Sequence, residues 1–346
     1  MRIVFVIIAL VLVIAGARLA YIVVPAAGAL TDPEPTDIAA CQAVEIAPGT
    51  EDVVYDAATG LVFVSAMERR SEEMDPRNGI YAFDLADPQN TVRLVSTDTP
   101  ADFRPHGISL FRDGETARLF VVSHPASGHQ ILIFDIGADG ALAHVRTITD
   151  PAVRSPNDVA ATGPDSFYAT NDSRFGPTVL GYIEAFFGMP LATIAQFDGE
   201  TGRIAAGGLV YANGVQVSAD GETAYASNFL GREIFVYDRD PDTGDLIRRA
   251  KHRVPLGLDN IELGEDGALY IGGNSEVFSF LAHQSDPAER APSQAVRVDP
   301  ETGAWETIFY NDGTAIDSIS VATPVPGALI LGAVFDSHVL ICPRDA

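Results

Sequence analysis

Six times along this chain the same three features return in the same order, and that repetition constrains the fold more than any other property. The first is a residue pair with at least one polar member, followed by an aliphatic run: Glu51-Asp52, His106-Gly107, Asn157-Asp158, Asn213-Gly214, Asp259-Asn260 and Asp317-Ser318. The second is a tight turn leading into another apolar run, as in LVFVSA at 61–66 and ALYIGGN at 268–274. The third is a run that ends in Asp in most copies, such as IYAFD at 80–84 and ILIFD at 131–135; Cys342 stands in that place in the sixth. The pairs are 55, 51, 56, 46 and 58 residues apart. Short apolar runs bounded by Gly and Pro read as strands, and no long helical period appears after residue 30. Six units of about 50 residues, each with three or four strands, predict an all-β fold, a six-bladed β-propeller. The propeller is assigned to residues 41–346, behind a linker at 25–40 and an apolar segment at 1–24.

In a propeller the first strand of each blade lines the central axis, so pairs at one repeat phase converge on one mouth. The converging set is Glu51, Asp52, His106, Asn157, Asp158, Asn213, Asp259 and Asn260, with Asp317 at the sixth position. It is rich in carboxylate and amide oxygen and holds no thiol, which favours Ca²⁺ over Zn²⁺. Without a cation such carboxylates repel one another. Singly, each residue has an ordinary reading. Asn213-Gly214 is a turn dipeptide, Asn157-Asp158 a loop after Pro156, and His106 a core histidine. Their shared phase is what favours the metal.

The balance of 22 Lys+Arg against 47 Asp+Glu, a net charge of −25, excludes nucleic acid as a partner, because phosphate binding needs clustered basic residues. It also excludes docking on anionic lipid through basic residues. Cys41 and Cys342 are the only cysteines, which rules out a disulfide-dense scaffold or a four-cysteine zinc site. They are either two separate buried thiols or one bridge closing a ring. Residues 3–24 carry one charge, Arg18. As a helix they span about 33 Å, enough to cross a bilayer. They read as an uncleaved anchor, or as a signal peptide cut at Ala15-Gly16-Ala17 or Ala27-Gly28-Ala29. Either way the rest of the chain is extracytoplasmic, periplasmic or secreted, where disulfides form.

The stretches GTEDVVYD (49–56), RPHGISLF (104–111), FVVSHP (120–125), SPNDVAATGPDSFYATND (155–172), YANGVQVSADG (211–221) and LDNIEL (258–263), with the closing LILGAVF and LIC, resemble the paraoxonase/arylesterase family from Cys41 to Cys342. The resemblance implies two Ca²⁺ ions in the central tunnel. On matching positions, the catalytic ion would be held by Glu51, Asn157, Asn213, Asp259 and Asn260, and the structural ion by Asp52, Asp158 and the carbonyl of Ile108. It further implies a catalytic pair, His106 and His124, a Cys41–Cys342 disulfide and an N-terminal segment retained as a membrane anchor. The chain departs from the family at Asp317-Ser318, where small hydroxyl residues are usual, and in the segments 68–78 and 174–191 that would shape the pocket wall.

The function so implied is Ca²⁺-dependent hydrolysis of small-molecule lactones and aryl esters, with weak phosphotriester hydrolysis beside it. The ion would polarise the carbonyl and stabilise the oxyanion, with His106 as general base and His124 as its orienting partner. Segment 175–191 would form a short amphipathic helix over the mouth, as a substrate wall or a membrane contact. The alternatives are a gluconolactonase-like or strictosidine-synthase-like propeller enzyme, and an exported, non-catalytic propeller stiffened by its ions.

Overall fold

In the computed structural model, which describes residues 2–28 and 33–344, the chain forms six four-stranded antiparallel sheets arranged as blades of a propeller. Ala29, in one of the two small-residue sites, lies outside the described residues. The innermost strands are Thr50–Asp56, Pro105–Asp113, Pro156–Ala161, Ala212–Val217, Gly257–Leu263 and Ile319–Val325, and each contacts the next around a closed ring. Blade 6 takes its outermost strand, Gln42–Glu45, from the other end of the chain, where it pairs antiparallel with His338–Pro343. The Cys41–Cys342 disulfide lies beside this seam. Linking residues 301 positions apart removes unfolded-chain entropy. The Cys41→Ser/Cys342→Ser double variant is therefore expected to lose about 2–5 kcal/mol, read from urea unfolding.

Middle strands are buried on both faces, which is why they read as continuous apolar runs; every residue of Leu61–Ala66 is buried. Neighbouring blades pack face to face. Phe120, Val122 and Ile133 of blade 2 meet Val159, Phe167 and Phe197 of blade 3 in one cluster, with Phe167 and Phe197 stacked at 5.3 Å. The strand-ending aspartates shape turns. Asp198 and Asp299 each accept two backbone N–H bonds from the hairpin that follows.

A β-bulge interrupts every inner strand. In the first five blades it falls on the polar pair, and in blade 6 just after it. A bulge sets two residues against one on the partner strand and re-aims their side chains. Two polar residues in succession therefore belong to a strand here, and Asn213-Gly214 is strand and not turn. The glycines in these pairs have a steric cause. A Cβ on Gly107 would lie 2.6 Å from Asp158 Cα, and one on Gly214 would lie 2.6 Å from the Asp259 carbonyl oxygen. Gly214→Ala is expected to destabilise by about 1–3 kcal/mol, since backbone atoms must give way. A shifted urea midpoint checks this.

Residues 2–26 form one helix whose last turns dock on the propeller. Ile22 packs with Val210, Phe229 and Leu230, and Arg232 donates to the carbonyls of Tyr21 and Ile22. Pro25 has no N–H to give the Tyr21 carbonyl, so a guanidinium suits it. Among the described residues no helix is long and apolar enough to cross a membrane. The segment at 33–41 runs beside blade 5, with Thr36 N–H donating to the Tyr310 carbonyl and Ile38 against the core.

Candidate active site

Connections between second and third strands leave each blade at the same end as the bulges. The loops after Ala66 and Ser123, and the segments after Asn171 and Asn274, all start opposite the first residues of inner strands. They therefore surround the mouth on which the polar pairs converge.

Five side-chain oxygens at this mouth are buried without a hydrogen-bond partner: Glu51 Oε2, Asn157 Oδ1, Asn213 Oδ1, Asp259 Oδ1 and Asn260 Oδ1. Their residues are at most 6% exposed, so bulk water does not serve them. An unpaired buried acceptor costs about 1–3 kcal/mol, more when charged. Five from four inner strands, gathered at one mouth, call for a compensating ligand. The donor set of two carboxylates and three amide oxygens fits Ca²⁺. All five are residues expected at the catalytic ion.

Hydroxyls hold the bulges that place them. Thr170 accepts from Asp158 N–H and donates to the Asn213 carbonyl in the next blade. Ser227 repeats this one blade on, accepting from Gly214 N–H and donating to the Asp259 carbonyl at 2.8 Å. Asn260 Nδ2 donates to Glu51 Oε1 at 3.0 Å, which orients both.

The other expected ligands lie beside these. Asp52 accepts from its own strand at Val53 N–H and from Ile108 N–H in blade 2 at 2.6 Å. Asp158 does the same between blades 3 and 4, through Val159 and Val215 N–H. Burial, and next the charge of a neighbouring carboxylate, push Asp52, Asp158 and Asp259 well above the usual carboxylate range. Glu51 differs. Burial raises it, but the His106 imidazole, the Arg69 guanidinium and the Asn260 amide outweigh that and hold it low. Arg69 lies 3.7 Å from Glu51 and also donates to the carbonyls of Gly49 and Met67. One guanidinium against four buried carboxylates leaves an anionic excess that bound cations would offset.

His106 and His124 meet as expected, Nδ1 to Nε2 at 2.8 Å, and His106 Nε2 faces Glu51 Oε1 at 3.6 Å. A third ring, unseen in the sequence reading, continues the line: His124 Nδ1 lies 2.8 Å from His129 Nδ1. Burial lowers His124 well below the usual imidazole value and lowers His129 as well, which favours the neutral form of both rings. The only sequence signal for His129 was its place at the far end of the same hairpin loop, HPASGH.

Asp317 is not brought to these oxygens. Its carboxylate accepts from Arg290 at 2.7 Å and from Ala291 N–H at 2.8 Å. Ser318 beside it has φ 53°, a left-handed turn that breaks the pattern of the other blades. With His283 and Asp336, Asp317 forms a group tight enough to hold a cation. Protein groups already occupy it: Arg70 and the Glu289 carbonyl take both nitrogens of His283, and Asp317 N–H donates to Asp336.

The segment expected to cover the mouth contains the helix Val179–Phe186, capped by Thr178. Its polarity is inverted. Glu184 points inward, accepting from Ser173 Oγ, while Val179, Leu180, Tyr182 and Phe186 are 50–75% exposed.

Residues 45–343 match the family model for arylesterase. Serum paraoxonase/arylesterase 1 of Rattus norvegicus is 30% identical over 324 residues, covering 89% of this chain and 89% of that protein. Serum paraoxonase/arylesterase 2 of the same species is 29% identical over 294 residues, covering 83% and 78%. A solved gluconolactonase from Xanthomonas campestris shares the fold with TM-score 0.55 at 18% identity, covering 88% of this chain and 90% of that one. Regucalcin from Agrobacterium tumefaciens, a calcium-binding protein, gives 0.51 at 12% identity, covering 87% and 92%. Taken with a match that runs through every blade, these relatives show that the chain belongs to the arylesterase family, that of the serum paraoxonases.

Proposed function

We propose that this chain is a Ca²⁺-dependent hydrolase of lactones and aryl esters. The observation that carries the reading is the set of five buried oxygens of Glu51, Asn157, Asn213, Asp259 and Asn260 that have no hydrogen-bond partner and whose chemistry fits Ca²⁺. Family membership supports the hydrolytic class. When bound, the ion supplies a Lewis acid for the ester carbonyl and a counter-charge for its oxyanion. Asp52, Asp158 and the Ile108 carbonyl are proposed for a second, structural ion, which would relieve the repulsion between the two buried aspartates.

The rest of the chemistry falls to the chain's own groups. His106 takes a proton from the attacking water at Nε2, the nitrogen that faces the mouth beside Glu51. Its Nδ1 hydrogen is directed at His124 Nε2, which keeps the Nε2 lone pair available. Glu51 Oε1 faces that same nitrogen and favours the imidazolium as it forms. The exposed apolar face of Val179–Phe186 supports its use as a substrate wall or membrane contact.

The test is hydrolysis of a panel of γ-lactones, long-chain δ-lactones, N-acyl homoserine lactones, phenyl acetate and a phosphotriester, with Ca²⁺ and after chelation. Turnover of at least one lactone or ester that disappears on chelation is expected. Inactivity on all of them with Ca²⁺ present contradicts the reading.

For localisation, we propose an extracytoplasmic propeller that keeps its N-terminal helix as a membrane attachment, although no described helix is long and apolar enough to cross the bilayer as the sequence suggested. The docking of Tyr21 and Ile22 on Arg232 supports retention, since cleavage after Ala29 would strip that contact. Mass spectrometry of the mature protein is expected to show residues 3–24 present; a chain starting after Ala17 or Ala29 would contradict it.

A further inference from the structure

Hydrolysis of a lactone at neutral pH turns one lactone and one water into a hydroxy-carboxylate and a proton. Within the cycle, the proton taken from the attacking water must be moved off and later returned to the leaving oxygen, in a mouth walled by loops and helices. The line of three imidazoles offers a route. It begins at His106 beside Glu51, passes through His124 at 2.8 Å and reaches His129 at a further 2.8 Å. The ring centroids are 5.0 Å apart at both steps. His129 is half-buried, and its only side-chain hydrogen bond among the described residues is the one to His124.

The hairpin that carries the outer two rings is built to hold them. His124 follows the strand Thr116–Ser123 and His129 precedes the strand Gln130–Ile136, where Ser123 pairs with Gln130. Between them, Gly128 takes φ 125°, a conformation that favours glycine, and turns the chain so that His129 faces back onto His124. His124 N–H donates to the Arg104 carbonyl, and Ala126 N–H to Asp102, which is paired with Arg104. The loop is thereby tied to the chain just ahead of His106.

We propose that His129 is a positioning residue for hydrolysis, setting the tautomer of His124 and forming the outlet through which the chain of histidines exchanges protons with solvent. This rests on the hydrolytic reading above. In the resting arrangement His106 Nδ1–H donates to His124 Nε2, His124 Nδ1–H donates to His129 Nδ1, and His129 Nε2–H points outward. When His106 Nε2 takes the proton of the attacking water, each ring passes its outward-facing hydrogen one step on, and His129 Nε2 releases one to solvent. When the carbon–oxygen bond breaks, the leaving alkoxide takes the hydrogen from His106 Nε2. The three rings return to their first tautomers as His129 regains a proton from solvent. The product acid ionises, which leaves one proton released per turnover. Burial, and next the neighbouring His106, lower both His124 and His129, which favours the neutral rings this exchange uses.

The test uses the full-length, Ca²⁺-loaded protein on a lactone that the wild type hydrolyses, at low buffer concentration, with imidazole as the added proton carrier. His129→Ala is expected to lower kcat about tenfold and to leave KM within about twofold, with imidazole restoring kcat in a saturable way. His129→Asn keeps an acceptor for His124 Nδ1–H but passes no proton, and is expected to be as slow and as responsive to imidazole. Wild-type kcat in His129→Ala overturns the proposal. So does full activity in His129→Asn without imidazole, because the ring would then be only a prop. His106→Gln in parallel separates the two levels: if it too keeps full activity, the assignment of His106 as general base fails and the relay with it, whereas a dead His106→Gln beside an unimpaired His129→Ala sinks the outlet alone.

Discussion

His106→Gln is expected to cut lactone kcat by about 10²- to 10⁴-fold, the usual worth of a positioned general base. Glutamine keeps a polar group near Glu51, so KM and the thermal unfolding curve should move little. The loss should appear in kcat and kcat/KM alike, which marks an interaction made in the transition state. His124→Gln should lose less, because His106 keeps its own lone pair at Nε2 and forfeits only its partner at Nδ1. Undiminished lactonase activity in His106→Gln would remove the base assignment and leave the metal site standing.

Protein stripped of its ions by chelation and desalting is expected to melt on the order of 10 °C below the Ca²⁺-loaded protein at pH 8, given two sites filled well above their dissociation constants. The difference should shrink toward pH 5. The folded carboxyls of Asp52, Asp158 and Asp259 are raised above their unfolded values by burial first and by neighbouring carboxylates next. A raised carboxyl keeps its proton in the folded chain where the unfolded chain has lost it. The stability it contributes is complete below the unfolded value of about 3.9 and is lost as pH rises through the folded value. Glu51, which is lowered, has the opposite sign, one group against three. Ion binding demands ionised carboxylates, so the stability it adds grows with pH. Calorimetry from pH 5 to 8, with and without Ca²⁺, checks the sign; a gap that narrows as pH rises contradicts it.

The propeller was legible because a blade is one unit copied six times, and a fixed phase exposes both the strands and the pairs that line the axis. Register made Asn157, Asn213 and Asp259 readable as one site although 102 positions separate the outer two. The same reliance on phase misplaced Asp317, whose fate is decided by Arg290, a residue outside the repeat. His129 escaped for a related reason. It occurs once, at a hairpin end, and only the Gly128 turn aims it at His124. Arg69 and Arg70 lie in a loop that could be marked only as divergent, yet one reaches Glu51 and the other His283. The inward Glu184 inverts the helix at the mouth, because its partners Ser173 and Arg174 N–H come from the turn preceding it. Long-range side-chain pairings of this kind leave no period in a sequence.

The sharpest check is an ion count made on the same samples as the lactonase rate. Calorimetric titration of the stripped protein with Ca²⁺ should find two ions in the wild type. In Asn213→Ala, which deletes one of the five unpartnered oxygens, the tunnel ion should be retained while the ion at the mouth weakens or disappears together with hydrolysis. A wild type that binds no ion at the mouth and still hydrolyses lactones, or an Asn213→Ala chain that loses the ion at the mouth and keeps its full rate, would contradict a metal-dependent hydrolase.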